Sequence, residues 1–86
     1  MKIHYASEFI RGFKKLPKPI QQIAIRQEAI FRKDPADPRL HVKALKGRLK
    51  GLFSFRVTRN YRVLFAKKET DIYLFYEIAD RQYIYD

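Results

Sequence analysis

The chain has no cysteine and no tryptophan, and only 3 glycines and 4 prolines among its 86 residues. Without cysteine, neither a disulfide framework nor a thiolate metal site can form. So few glycines and prolines leave little that is low-complexity, and no internal repeat is visible. The opening MKIHYASEF lacks the apolar run of a signal peptide, and no stretch approaches transmembrane length. A cytoplasmic protein with no membrane partner is therefore expected. The most telling absence is of acid. Between Pro38 and Lys68 there is no carboxylate, while ten side chains are cationic: Arg39, Lys43, Lys46, Arg48, Lys50, Arg56, Arg59, Arg62, Lys67 and Lys68.

Outside that window nine cations face nine carboxylates, so the whole formal charge of +10 comes from one block. A surface made only for solubility mixes both signs. A one-sign field attracts a polyanion, and phosphate makes nucleic acid the leading partner, ahead of an acidic protein. Hydrophobic residues make up 47% of the chain and 13 are Phe or Tyr, enough to exclude disorder despite 33% charged residues. One packed domain spanning residues 1–86 is expected.

Lys2–Ala6 reads as a short strand with Ile3 and Tyr5 on one face. Ser7 stands at a favourable N-cap position, with Glu8 where a negative charge suits the helix dipole. Phe9, Ile10, Phe13 and Leu16 recur at helical spacing, and Pro17 and Pro19 end that helix and start another. The second runs to Lys33 on a stripe of Ile20, Ile23, Ala24, Gln27, Ile30 and Phe31, and Asp34-Pro35 stops it.

Residues beyond 40 favour strands. Val42–Leu45 reads as a short apolar link, and Lys46–Gly51 as a basic turn bracketed by glycines. Leu52–Val57 and Tyr61–Ala66 form a hairpin around Thr58-Arg59-Asn60, where Asn60 is able to take a positive φ. Ile72–Ile78, apolar on both faces, is an interior strand. Ala79–Gln82 turns again and Tyr83–Tyr85 is a short closing strand. The expected architecture is α+β, a small antiparallel sheet in the order β-α-α-β-β-β with a helical hairpin on one face.

Strand alternation sets Ser54 and Arg56 opposite Phe53, Phe55 and Val57, so Arg56 should point to the open face, with Arg62 across the hairpin and Arg59 at its turn. Guanidinium forks grip phosphate bidentately and stabilise charge on a pentacoordinate phosphorus. Of Tyr61, Tyr73, Tyr76, Tyr83 and Tyr85, three are expected in the core, with Tyr85 the exception nearest the chain end. His41 stands beside the cationic stretch, where it is a possible base but more simply a surface imidazole. The aspartates show no Mg²⁺-binding spacing, so no metal or other cofactor is expected, and any phosphodiester chemistry would use the substrate's own 2′-hydroxyl.

Leu45–Phe65 (LKGRLKGLFSFRVTRNYRVLF), the hydrophobic strand after it and the ending IADRQYIYD resemble the RelE/ParE superfamily of bacterial type II toxins. The resemblance covers essentially the whole chain; its most specific parts are Lys46-Gly47, Phe53–Val57 and Tyr61-Arg62-Val63. It implies a toxin neutralised by a cognate antitoxin and reaching operator DNA only through it. The RelE-like branch cleaves mRNA in the ribosomal A site without metal. On that pattern Arg56 and Arg62 are the phosphate and transition-state residues, Arg81 a further cation and Tyr85 the terminal tyrosine of the site. Lys46, Arg48, Lys50 and Arg59 would contact RNA, ribosomal RNA included. Asp80 stands where relatives often have His, and Ser54 where some have Lys. The proton-transfer residue is therefore open. So are two other readings, a ParE-like inhibitor of DNA gyrase and an inactive toxin remnant.

Overall fold

The computed structural model describes residues 1–84. Five strands form one sheet: β1 (Lys2–Tyr5), β2 (Lys43–Ala44), β3 (Phe53–Arg56), β4 (Tyr61–Glu69) and β5 (Ile72–Asp80). They lie in the order β1-β5-β4-β3-β2. Between β1 and β2 come α1 (Ser7–Lys15) and α2 (Lys18–Lys33). Because β1 and β2 are the two outer strands, the helical hairpin must cross the full width of the sheet, and so covers one face of it.

The proline corner forms as expected. Pro17 sits at the N-cap of α2 with Pro19 in the first turn, and Asp34 leaves the helix in an extended conformation. Four details differ from expectation. Ser7 is already inside α1, whose N-cap is Ala6 with no side-chain cap. The sheet is mixed, since β1 runs parallel to β5 with Ile3 opposite Tyr73. The apolar link contains a two-residue strand, β2, paired with Ser54 and Phe53. Finally, β5 continues to Asp80 and is followed by a short helix, α3 (Arg81–Ile84), in place of the expected closing strand. Asp80 caps that helix by accepting a hydrogen bond from the Gln82 amide at 3.1 Å.

The core lies between helices and sheet and is built on Phe31, which is fully buried. Its ring meets Phe65, Tyr73 and Phe75 edge-on at 4.9, 5.0 and 5.3 Å and stacks on Phe55 at 5.2 Å. A register shift in β4–β5 pairs Leu64 with Glu77 but Phe65 with Phe75, so Tyr76 is an extra residue on its strand. That bulge lets Phe75 and Ile78, three apart, both enter the same core. At the end of β1, Tyr5 donates to Glu28, and Arg32 donates to both. Burial, then the bond to Glu28, push the Tyr5 hydroxyl above its ordinary pKa.

Gly12 is required by packing, not by backbone conformation. A Cβ there would lie 2.6 Å from the carbonyl oxygen of Ile78, a backbone atom that cannot swing aside. Helix propensity alone favours alanine by about 1 kcal/mol. Gly12→Ala is nonetheless expected to destabilise the protein by about 1–3 kcal/mol, because α1 must lift off β5. Urea unfolding checks the sign, and a stabilised variant would refute the packing argument.

Candidate phosphate-binding face

The sheet face away from the helices is not bare. Leu45 and Leu64 are buried there, with Leu49, Leu52, Tyr76 and Ala79 packed against them. The leucines thus fasten the glycine-bracketed loop onto the open face. Gly47 and Gly51, at φ of 65° and 96°, make its two sharp bends. The loop's cations stay outside: Lys46, Arg48 and Lys50 are exposed, and Lys43–Leu49 line a concavity of about 540 Å³. Apolar anchors therefore hold a basic rim over the sheet face that carries the hairpin arginines.

Arg56 and Arg62 are directly opposed across β3 and β4, and Arg62 is paired in turn with Ala79 of β5. The two guanidinium groups have different environments. Among the described residues Arg56 has no hydrogen-bond or ion-pair partner for its side chain, and its Nε is buried with no acceptor. Gln27 reaches across from α2 to donate to the Arg56 carbonyl at 2.8 Å, fixing the backbone there. Such an orphaned donor is costly unless something meets it.

Arg62, expected to point outward, is buried at 7% exposure. Its Nη1 donates to the carbonyls of Thr58 at 2.8 Å, Arg59 at 3.1 Å and Tyr61 at 3.3 Å. Like charges directly opposite in a sheet repel. Turning Arg62 toward the partial negative charge of the turn carbonyls relieves that repulsion and leaves Arg56 in place.

The hairpin turn needs no positive φ: among the described non-glycine residues only His41 and Asp71 adopt one, so Asn60 does not. Instead the Thr58 hydroxyl accepts from the amides of Asn60 and Tyr61, both at 3.2 Å. Arg59 is exposed at the tip of this turn. The Asn60 carbonyl accepts from the Arg81 amide at 2.7 Å, which anchors the start of α3 beside the hairpin. Arg81 is exposed there, and Tyr85 lies outside the described residues. The structure thus gathers Arg56, Arg62, Arg59 and Arg81 around one end of the β3–β4 hairpin.

Other expected features lie elsewhere. His41 lines a groove with Phe53, Phe65 and Lys67, at the far end of the hairpin from Arg56. Arg39 is withdrawn from the cationic set by Asp37, at 2.8 Å, and that contact lowers the Asp37 carboxyl to about 2. Tyr73 is in the main core, Tyr61 packs against it and Tyr76 against the second cluster, while Tyr83 is 73% exposed. Among these four, one is therefore a core ring and two are partly buried against the core clusters. Among the described residues no three His, Asp or Glu side chains converge as a metal site would need, and no helix is long and apolar enough to cross a membrane. Sequence reasoning missed the role of Leu49 and Leu52 as loop anchors, although their spacing around the glycines carried the signal.

No family model matches the chain, and no curated protein does. Solved structures do match. YafQ from E. coli strain BL21(DE3) superposes with a TM-score of 0.81 over 99% of this chain and 98% of that one, at 12% identity. A YoeB/ParE toxin from Agrobacterium tumefaciens gives 0.78 over 93% and 98%, at 13% identity. A chain of the toxin–antitoxin complex RelBE2 from Mycobacterium tuberculosis gives 0.71 over 93% and 96%, at 25% identity. This is the RelE/ParE toxin fold. The RelE/ParE fold extends over nearly the whole of each neighbour, so the resemblance read from the hairpin motif holds for the architecture as well. At these identities the fold is retained while most side chains have changed, which leaves activity to be argued from the site.

Proposed function

We propose that this chain is the toxin of a toxin–antitoxin pair and an mRNA endoribonuclease that acts in the cytoplasm on translating ribosomes. The observation that carries the reading is Arg56, a guanidinium without a partner among the described residues, set under a basic rim on a RelE/ParE-type sheet. A scissile phosphate would accept from the terminal nitrogens of this guanidinium, while its Nε is closed off from solvent. The substrate's 2′-hydroxyl oxygen attacks phosphorus and the bond to the 5′-oxygen breaks. A 2′,3′-cyclic phosphate and a 5′-hydroxyl result. Charge grows on the non-bridging oxygens during the attack, and a fixed guanidinium there lowers the barrier. Arg81 and Arg59 flank the phosphate path, while Lys46, Arg48 and Lys50 meet ribosomal RNA through long-range attraction.

The partner follows from the neighbours. RelB–RelE from Methanococcus jannaschii, RelBE2 and YoeB–YefM from Staphylococcus aureus are all complexes. A cognate antitoxin is accordingly proposed here, with operator DNA reached only through it. Controlled expression of the chain without its antitoxin should arrest growth and create new 5′ ends inside translated frames, detected by primer extension. Arrest with intact messages, accompanied by loss of supercoiling by purified gyrase, would replace the nuclease reading with a gyrase-directed one.

A further inference from the structure

Arg62 is the strongest outlier on this face, because a residue that looks like a phosphate ligand in sequence is spent on its own backbone. Its side chain is buried, and one nitrogen serves three carbonyls of the β3–β4 turn. Those carbonyls belong to Thr58, Arg59 and Tyr61, so the guanidinium closes the turn from below while the Thr58 hydroxyl closes it from within. The next carbonyl along, that of Asn60, holds the Arg81 amide. The four successive carbonyls from Thr58 to Tyr61 are thus all engaged, three by Arg62 and the remaining one by the first residue of α3, so the backbone of the turn links the two.

We propose that Arg62 is a positioning residue: it locks the Thr58–Asn60 turn and, through the Asn60 carbonyl, sets Arg59 and Arg81 beside Arg56. This rests on the nuclease reading for its kinetic consequence, but not for its structural one. The same geometry accounts for burying a cation opposite Arg56, since a charge neutralised by peptide dipoles organises the site without competing for the phosphate. A cationic nitrogen with more than one N–H suits the task because it can serve several carbonyls of one tight turn at once.

Arg62→Met tests the idea, since methionine keeps much of the apolar volume and removes every donor. Arg62→Lys is the conservative partner, with an ammonium able to reach the same carbonyls. Amide hydrogen exchange in the toxin–antitoxin complex reads the lock without any assay of cleavage. In Arg62→Met the Arg81 amide should exchange on the order of 10-fold faster, by 2.303RT per decade, while the core amides of Phe65 and Phe75 hold. Arg62→Lys should restore most of the protection.

Cleavage on programmed ribosomes then reads the consequence. Arg62→Met should lower kcat by about 100-fold with little change in KM, the size expected when reacting groups are misplaced by about an ångström. Combined with Arg81→Ala it should be hardly worse than either change alone. An unchanged Arg81 amide in Arg62→Met overturns the proposal. So does a double-variant loss equal to the product of the single losses, which would make Arg62 an independent phosphate ligand. If the wild-type protein cuts no message, the nuclease reading fails while the exchange result still decides the lock.

Discussion

Replacing Phe31 with alanine removes a large part of the protein's stability. Phe31 is fully buried and its ring contacts four other rings, three edge-on and one stacked, drawn from β3, β4 and β5. Truncation to alanine deletes the only large side chain of α2 that is completely enclosed, and the sheet cannot collapse onto the gap without distorting its pairing. Changes of this kind cost about 3–5 kcal/mol. A chain of this length has roughly 4–13 kcal/mol in total. The urea midpoint should therefore fall steeply with an unchanged slope. Ile25→Ala on the same helix, at a residue 57% exposed, should move it by less than about 1 kcal/mol. Similar shifts for the two variants would mean that the core is not organised around Phe31.

The second large effect is on activity. Arg56→Ala should lower the cleavage rate by about 100- to 1,000-fold, the range found when one fixed donor to a developing oxyanion is removed. Its stability should barely change, because the Arg56 guanidinium makes no hydrogen bond or ion pair with the described residues. A truncated side chain with no partner leaves no other group unsatisfied. Arg39→Ala is the matched control. It removes a cation from the same block of sequence, but one already paired with Asp37, and should leave the rate within about twofold. Equal losses from Arg56→Ala and Arg39→Ala would reduce the site to general electrostatic attraction.

Much of this fold was legible in the sequence because its signals are local. Prolines 17, 19 and 35 bound the helices, the alternation of Phe53, Phe55 and Val57 sets the face of β3, and the double-sided apolar run marks β5 as interior. The misses are non-local or too short to carry a period. A two-residue strand such as β2 has no alternation to detect. Parallel pairing of β1 with β5 joins residues about seventy positions apart, and nothing in Lys2–Tyr5 announces it. The terminal residues Tyr83 and Ile84 have strand propensity, yet Asp80 caps a helical turn there and the Asn60 carbonyl holds its first amide.

The site was half legible for the same reason. Alternation and hairpin register place Arg56 and Arg62 on one face, and both facts follow from the strands. Which of the two is available to a ligand depends on turn geometry. Thr58 bends the chain so that carbonyls converge beneath Arg62, and only the folded loop reveals that acceptor set. The cationic block was likewise real but uneven, since Asp37, one residue before it begins, neutralises Arg39.

A cryo-EM structure of the toxin on a ribosome programmed with 2′-O-methyl mRNA tests the central claim most directly. The modified message can bind but cannot be cut. The predicted result places a backbone phosphate within about 3 Å of the Arg56 guanidinium, with Lys46, Arg48 and Lys50 against ribosomal RNA and Arg62 still on its turn carbonyls. A message phosphate seated on another face of the protein, with Arg56 facing solvent, would contradict it.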